Sequence, residues 1–198
     1  KFFATSSIDA LIHSIESFVS PNATYYSRIF SKESMTIILG CYKKVVSGEN
    51  WNKYAKDFLY ASDLAGIAFN NAGCGAVHAL SYPLGGTYHI PHGEANMLMF
   101  EAVFKKYREK DPSGKINDLY LILSDVLGCD ESSALDEMFK ILDLILKRNP
   151  LNTYGVKKEE LLEFAKSVIQ NQGRLLANNY TPLSEDEMLE IYESVFDK

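Results

Sequence analysis

No stretch of this chain alternates apolar and polar residues over five positions, as a half-buried strand would; apolar residues recur at intervals of three and four between turn residues. That periodicity predicts an all-α fold, a helical bundle, with residues 1–198 forming one domain. Ile8, Ala10, Leu11, Ile12, Ile15 and Phe18 mark a first helix, for which Thr5-Ser6-Ser7 reads as the start signal and Pro21-Asn22 as the break. Further helices are predicted over about 24–46, 51–70, 116–127, 132–147, 157–170 and 185–196, the last opened by a Ser184-x-x-Glu187 capping box.

One segment departs from this regularity. Gly73 to Gly93 holds five glycines, two prolines and three of the four histidines. Glycine and proline at that density predict a short helix carrying His78 to about Leu84, a turn at Gly85-Gly86, and a new helix from near Pro91 to Tyr107. His92 then stands at a helix N-terminus.

The same segment, with the first helix, carries the chemistry. Asp9 and His13 are four residues apart, about 400° of helical rotation, so they project from one face a turn apart. His78 and His92 lie fourteen residues apart. Singly, an Asp-x-x-x-His is an ordinary surface pair and a buried histidine an ordinary core residue. Together, in two compact segments able to face each other in a bundle, they supply one carboxylate and three imidazoles, a donor set suited to iron or zinc. Tyr82, one turn after His78, is a candidate to point into the same space, and His89, three residues before His92, is a candidate proton relay.

Composition narrows the function. A net charge of -6 and a basic-stripe-free sequence argue against nucleic acid as a partner, and no apolar run reaches membrane-spanning length. Cys41, Cys74 and Cys129 are odd in number and without a CxxC pair, which predicts reduced thiols in a cytoplasmic protein. Gly73-x-Gly75 lacks the third glycine and the preceding strand of a dinucleotide loop. The start at Lys1-Phe2-Phe3, without methionine and directly into a helix, reads as a piece of something longer.

The segments Asp9-Ala-Leu-Ile-His13-Ser-Ile-Glu16-Ser17 and Gly75-Ala-Val-His78-Ala-Leu-Ser-Tyr82-Pro83-Leu-Gly85, running on to Pro91-His92-Gly93, resemble the iron-containing (group III) alcohol dehydrogenases. The likeness covers essentially the whole chain, including the tail from Thr181 to Glu187. It implies that Asp9, His13, His78 and His92 are the ligands of a divalent metal, Fe²⁺ by family habit with Zn²⁺ as the alternative. It further implies that this is the metal-bearing C-terminal half of a two-domain, dehydroquinate-synthase-like enzyme whose other half binds NAD(P). A small alcohol or aldehyde is then the substrate, hydride passes to the nicotinamide, and the full-length enzyme is a homodimer. Many members carry histidine where Tyr82 stands; a phenol exchanges protons far less readily than imidazole near neutral pH, so Tyr82 does not simply inherit that role. A carboxylate-bearing substrate would want a cationic partner, and Arg28 and Lys32 are the cations nearest the first motif. Without the resemblance, the same residues also fit a stand-alone helical metal-binding or interaction domain.

Overall fold

Helix α1 (Phe2–Val19) is the spine of the molecule: Ile8, Leu11, Ile12 and Ile15 are wholly buried, and even the polar Ser14, Glu16 and Ser17 are enclosed. A helix buried nearly all round must be surrounded, and α2 (Tyr25–Val46), α3 (Ala55–Ala72) and α5 (His92–Lys110) pack on it from different sides. Each wholly buried leucine or isoleucine contributes roughly 1.5–3 kcal/mol. The computed structural model describes residues 2–197, and every regular element among them is helical.

The predicted start of α1 at Thr5-Ser6-Ser7 is corrected, since the helix already runs from Phe2. The hydroxyls do not cap it. Thr5 Oγ1 donates to Phe2 O at 2.9 Å and Ser7 Oγ to Phe3 O at 2.8 Å, so each is satisfied by its own preceding turn. Ser7 also meets the buried Tyr42 hydroxyl at 2.6 Å, while Ser14 donates to Ser34 and Ser34 to Ala61 O, stitching α1, α2 and α3 through the core. These residues are buried polar links, which a cap signal resembles in sequence.

Beyond α3, α4 (Ala76–Tyr88) packs against α5 and α8 (Leu161–Asn171), and α10 (Glu185–Ser194) closes over α8 and α5. Helices α6 (Gly114–Leu127) and α7 (Ala134–Ile145) pair with each other and lean on α2; α9 (Gly173–Leu176) is a single turn against α4. The Ser184–Glu187 capping box opens α10 as predicted. The turn predicted at Gly85-Gly86 is absent, because α4 runs through Pro83 and both glycines and ends at His89, which takes the left-handed conformation at φ 53°. Burial of Leu80 and Leu84, with Tyr192 donating to Leu80 O at 2.6 Å, outweighs the roughly 1 kcal/mol that a helical glycine costs. Residues 51–54 and 158–160, predicted as α-helix, form 3-10 turns leading into α3 and α8.

Candidate metal centre

Three helices bring the predicted residues together. Asp9, His13 and Glu16 share one face of α1, His78 sits in the first turn of α4, and His92 opens α5 with Asn96 one turn later. Asp9 Oδ1 lies 3.5 Å from His78 Nε2 and 3.6 Å from His92 Nε2. The His13 and His78 rings stack at 4.6 Å, with Phe69 on the far face of His13 at 4.5 Å. Donor atoms of Asp9, His78 and His92 all fall within 4.8 Å of one another, and so do those of His13, Cys74 and His78. The two triples share His78, so each of the four expected ligands falls in one of two adjoining donor clusters, with Cys74 in the cluster of His13.

His78 is the pivot, and its environment shows why. Its Nδ1 is 2.5 Å from Glu16 Oε2, and the other Glu16 oxygen accepts the Val77 N–H at 2.8 Å, so the ring is locked in place. Its Nε2 is buried and has no hydrogen-bond partner. A buried imidazole whose inner nitrogen is held by a carboxylate and whose outer nitrogen is orphaned beside a second carboxylate and another imidazole fits a divalent cation. Asn96 donates to Asp9 Oδ1 at 2.7 Å and lies 3.1 Å from His92 Nε2, orienting both. Neither Glu16 nor Asn96 was assigned a role from sequence. The available signal was their spacing, three residues after His13 and four after His92.

The charges agree with a ligand set. Burial alone would raise the Asp9 carboxyl, but His78, whose Nε2 faces it at 3.5 Å, and the charge of the other surrounding histidines hold it down at about 2. His13 is lowered to about 4 by burial and by repulsion from His78, so it is neutral and able to donate a lone pair at neutral pH. His78 moves the other way: burial disfavours its charged form, yet Asp9, Cys74 and Glu16 together raise it well above the ordinary imidazole value.

A prediction follows from Glu16. The carboxylates around His78 favour its protonated form in the metal-free protein, so metal binding at Nε2 competes with that proton. In Glu16→Gln the amide can donate to Nδ1, driving the remaining proton onto the nitrogen the metal needs. Metal affinity falls by roughly 10- to 100-fold. Proton release, read by calorimetry in buffers of different ionisation enthalpy, falls with it; unchanged affinity and release would show that Glu16 only packs.

The cleft above these residues has a volume of about 290 Å³ and is bordered by His13, His78, His92, Tyr82, Arg174 and Asn178 among others. Tyr82 borders the cleft; it is 40% exposed, and its ring centre is 6.1 Å from that of His92. His89, the candidate relay, is not among the residues bordering the cleft; its backbone closes α4 and it is exposed. Arg28 is likewise elsewhere, paired with Asp118 at 2.6 Å and lying over Phe18, because α2 turns it toward α6; Lys32 is exposed and outside the cleft. All three cysteines are free, and no helix among the described residues is long and apolar enough to cross a membrane.

Comparison with known proteins gives the family. The family model described as Fe-containing alcohol dehydrogenase family, C-terminal, matches residues 3–196. The chain is 52% identical to 4-hydroxybutyrate dehydrogenase of Clostridium kluyveri, covering 99% of this chain and 53% of that protein. It is 33% identical to long-chain-alcohol dehydrogenase 1 of Geobacillus thermodenitrificans, covering 98% and 50%. Among solved structures, a 1,3-propanediol oxidoreductase superposes with a TM-score of 0.84 at 27% identity, over 98% of this chain and 51% of that one. An iron-containing alcohol dehydrogenase from Thermotoga maritima gives 0.74 at 27% identity, over 96% and 48%. The chain spans about half the length of the curated relatives it matches.

Proposed function

The chain belongs to the Fe-containing alcohol dehydrogenase family, and from that premise we propose that it forms the metal-bearing half of an NAD-linked dehydrogenase interconverting 4-hydroxybutyrate and succinate semialdehyde. The observation that carries the reading is the buried, unpartnered Nε2 of His78, set among Asp9, His92 and the stacked His13 at the floor of an open cleft. The substrate rests on the identity shared with the Clostridium kluyveri protein.

Asp9, His13, His78 and His92 would hold the cation, which by family is Fe²⁺; Zn²⁺ competes because it binds the same nitrogen and oxygen donors more tightly. When bound, it supplies Lewis acidity toward the hydroxyl or carbonyl oxygen of the substrate. The residues of this chain do the rest. Glu16 and Asn96 hold the ligands' orientation, so little reorganisation accompanies the reaction. His13 and Phe69 wall off one side of the cleft by stacking. An NAD bound to the full-length protein would supply the hydride acceptor for the carbinol carbon, and the open side of the cleft would let the hydroxyl proton leave to solvent. Tyr82 and His92, 40% and (side chain) 48% exposed, border the open side, where Tyr82 orients the hydroxyl through a hydrogen bond.

The test is turnover by the full-length protein loaded with Fe²⁺ or Zn²⁺. NADH formation is expected with 4-hydroxybutyrate at a higher kcat/KM than with 1-butanol or 1,3-propanediol. Absence of NADH formation from every alcohol by metal-loaded protein would overturn the reading, and a preference for the neutral alcohols would overturn the substrate.

A further inference from the structure

A hydroxy acid whose hydroxyl faces His78 and His92 must put its carboxylate somewhere, and burying that charge without a partner costs far more than turnover allows. The cleft wall holds one permanent cation, Arg174, and no carboxylate. The chain has three other arginines, and each is engaged. Arg28 pairs with Asp118, Arg108 lies over Tyr120, and Arg148 is clamped by Glu101 and Asp143. Among the described residues Arg174 has no acidic or aromatic partner, and it is exposed to the cleft.

Its position is nevertheless fixed. Asn178 Nδ2 donates both to Arg174 O at 3.2 Å and to Cys74 O at 3.0 Å, tying the turn that carries Arg174 to the loop that leads into His78. Asn178 Oδ1 in turn accepts from Asn22 Nδ2 at 2.7 Å. Gly73, at φ +80°, makes room for this wedge: a Cβ there would come within 2.3 Å of Asn178 Nδ2. A flexible cation on a backbone anchored to the metal loop, facing a cleft without competing carboxylates, is built to receive an anion.

We infer that Arg174 receives the remote carboxylate of the substrate and sets the preference for an ω-hydroxy acid over a neutral alcohol. The planar guanidinium can grip both carboxylate oxygens, which a lysine at the same place cannot match. This deepens the dehydrogenase reading and rests on it for the identity of the substrate. The nucleotide phosphates are the competing anion, and the experiment separates the two.

In the full-length, metal-loaded protein, Arg174→Met is expected to lower the ratio of kcat/KM for 4-hydroxybutyrate over 1-butanol by roughly 10- to 100-fold, the worth of a charge-assisted hydrogen bond. KM for the acid carries the loss, KM for NAD stays put, and Arg174→Lys recovers part of the ratio. Calorimetric binding of butyrate weakens in parallel. An unchanged ratio in a variant that still oxidises 4-hydroxybutyrate overturns the inference and leaves the dehydrogenase reading standing. A rise in KM for NAD with both alcohols falling equally assigns Arg174 to the cofactor and also overturns it. Butyrate binding that depends on Arg174 in a protein that oxidises no alcohol upholds the carboxylate site and sinks the dehydrogenase reading instead.

Discussion

With the proposed metal centre, His78→Ala is expected to empty it in the full-length protein and to lower the proposed NAD-linked alcohol oxidation by several orders of magnitude. His78 belongs to both ligand triples, so its loss dismantles each, whereas loss of His92 would leave the His13, Cys74 and His78 donors in place. The variant also strands Glu16, which is 2% exposed and held by His78 on one oxygen. Removing one partner of a buried pair costs about 3–5 kcal/mol, so lost activity alone would not separate a missing ligand from a damaged fold. The double variant His78→Ala, Glu16→Gln separates them. It removes the buried charge, keeps an acceptor for the Val77 N–H, and should recover much of the lost Tm without recovering metal. Metal analysis beside thermal unfolding reads both quantities. Near-normal metal content in either variant would show that His78 is not a ligand.

The parts of this site that could be read from sequence are those whose chemistry is visible in the residue type. Asp9, His13, His78 and His92 stand out because histidine is scarce here, with four in 198 residues, and three of them crowd one segment. Glu16 does not stand out. The chain has 26 acidic residues, and a glutamate on a helix is ordinarily a solvated face charge; only its place in the register Asp9, His13, Glu16 distinguished it. Arg174 was beyond reach for another reason, since nothing local ties a residue in a four-residue helix to a histidine nearly a hundred positions earlier. That link comes from the tertiary fold, where α9 packs against α4 and Asn178 bridges to Cys74 O. The helices themselves were legible from their apolar spacing, and the errors came where tertiary packing overrides local preference. Thr5 and Ser7 look like a cap and are core links; Gly85-Gly86 look like a turn and are held helical by Leu80 and Leu84 on one side of them.

Helices α1 and α5, which carry candidate ligands, meet closely at the glycine beside His92. A Cβ on Gly93 would lie 2.2 Å from Thr5 O and 2.8 Å from Thr5 C, with Asp9 Cβ at 3.3 Å. The obstructing atoms are backbone of α1, so no side-chain rotation relieves the clash and α1 must move away from α5. Gly93→Ala is therefore expected to cost about 1–3 kcal/mol, with Tm falling roughly 2–4 °C for each kcal/mol. The displacement acts on the site as well, since it separates Asp9 on α1 from His92 and Asn96 on α5, across a junction where Asp9 Oδ1 now sits 3.6 Å from His92 Nε2 and 2.7 Å from Asn96 Nδ2. Metal affinity should fall although no ligand has been changed. The same substitution at Gly40, inside α2 with nothing within 4 Å of the added carbon, should instead stabilise by about 0.5–1 kcal/mol, the usual gain of alanine over glycine in a helix. Opposite signs from one chemical change would locate the cost in the α1–α5 contact rather than in helix propensity. Equal Tm shifts at the two sites, or a Gly93→Ala protein that binds metal as tightly as the parent, would show that the contact yields without moving the ligands.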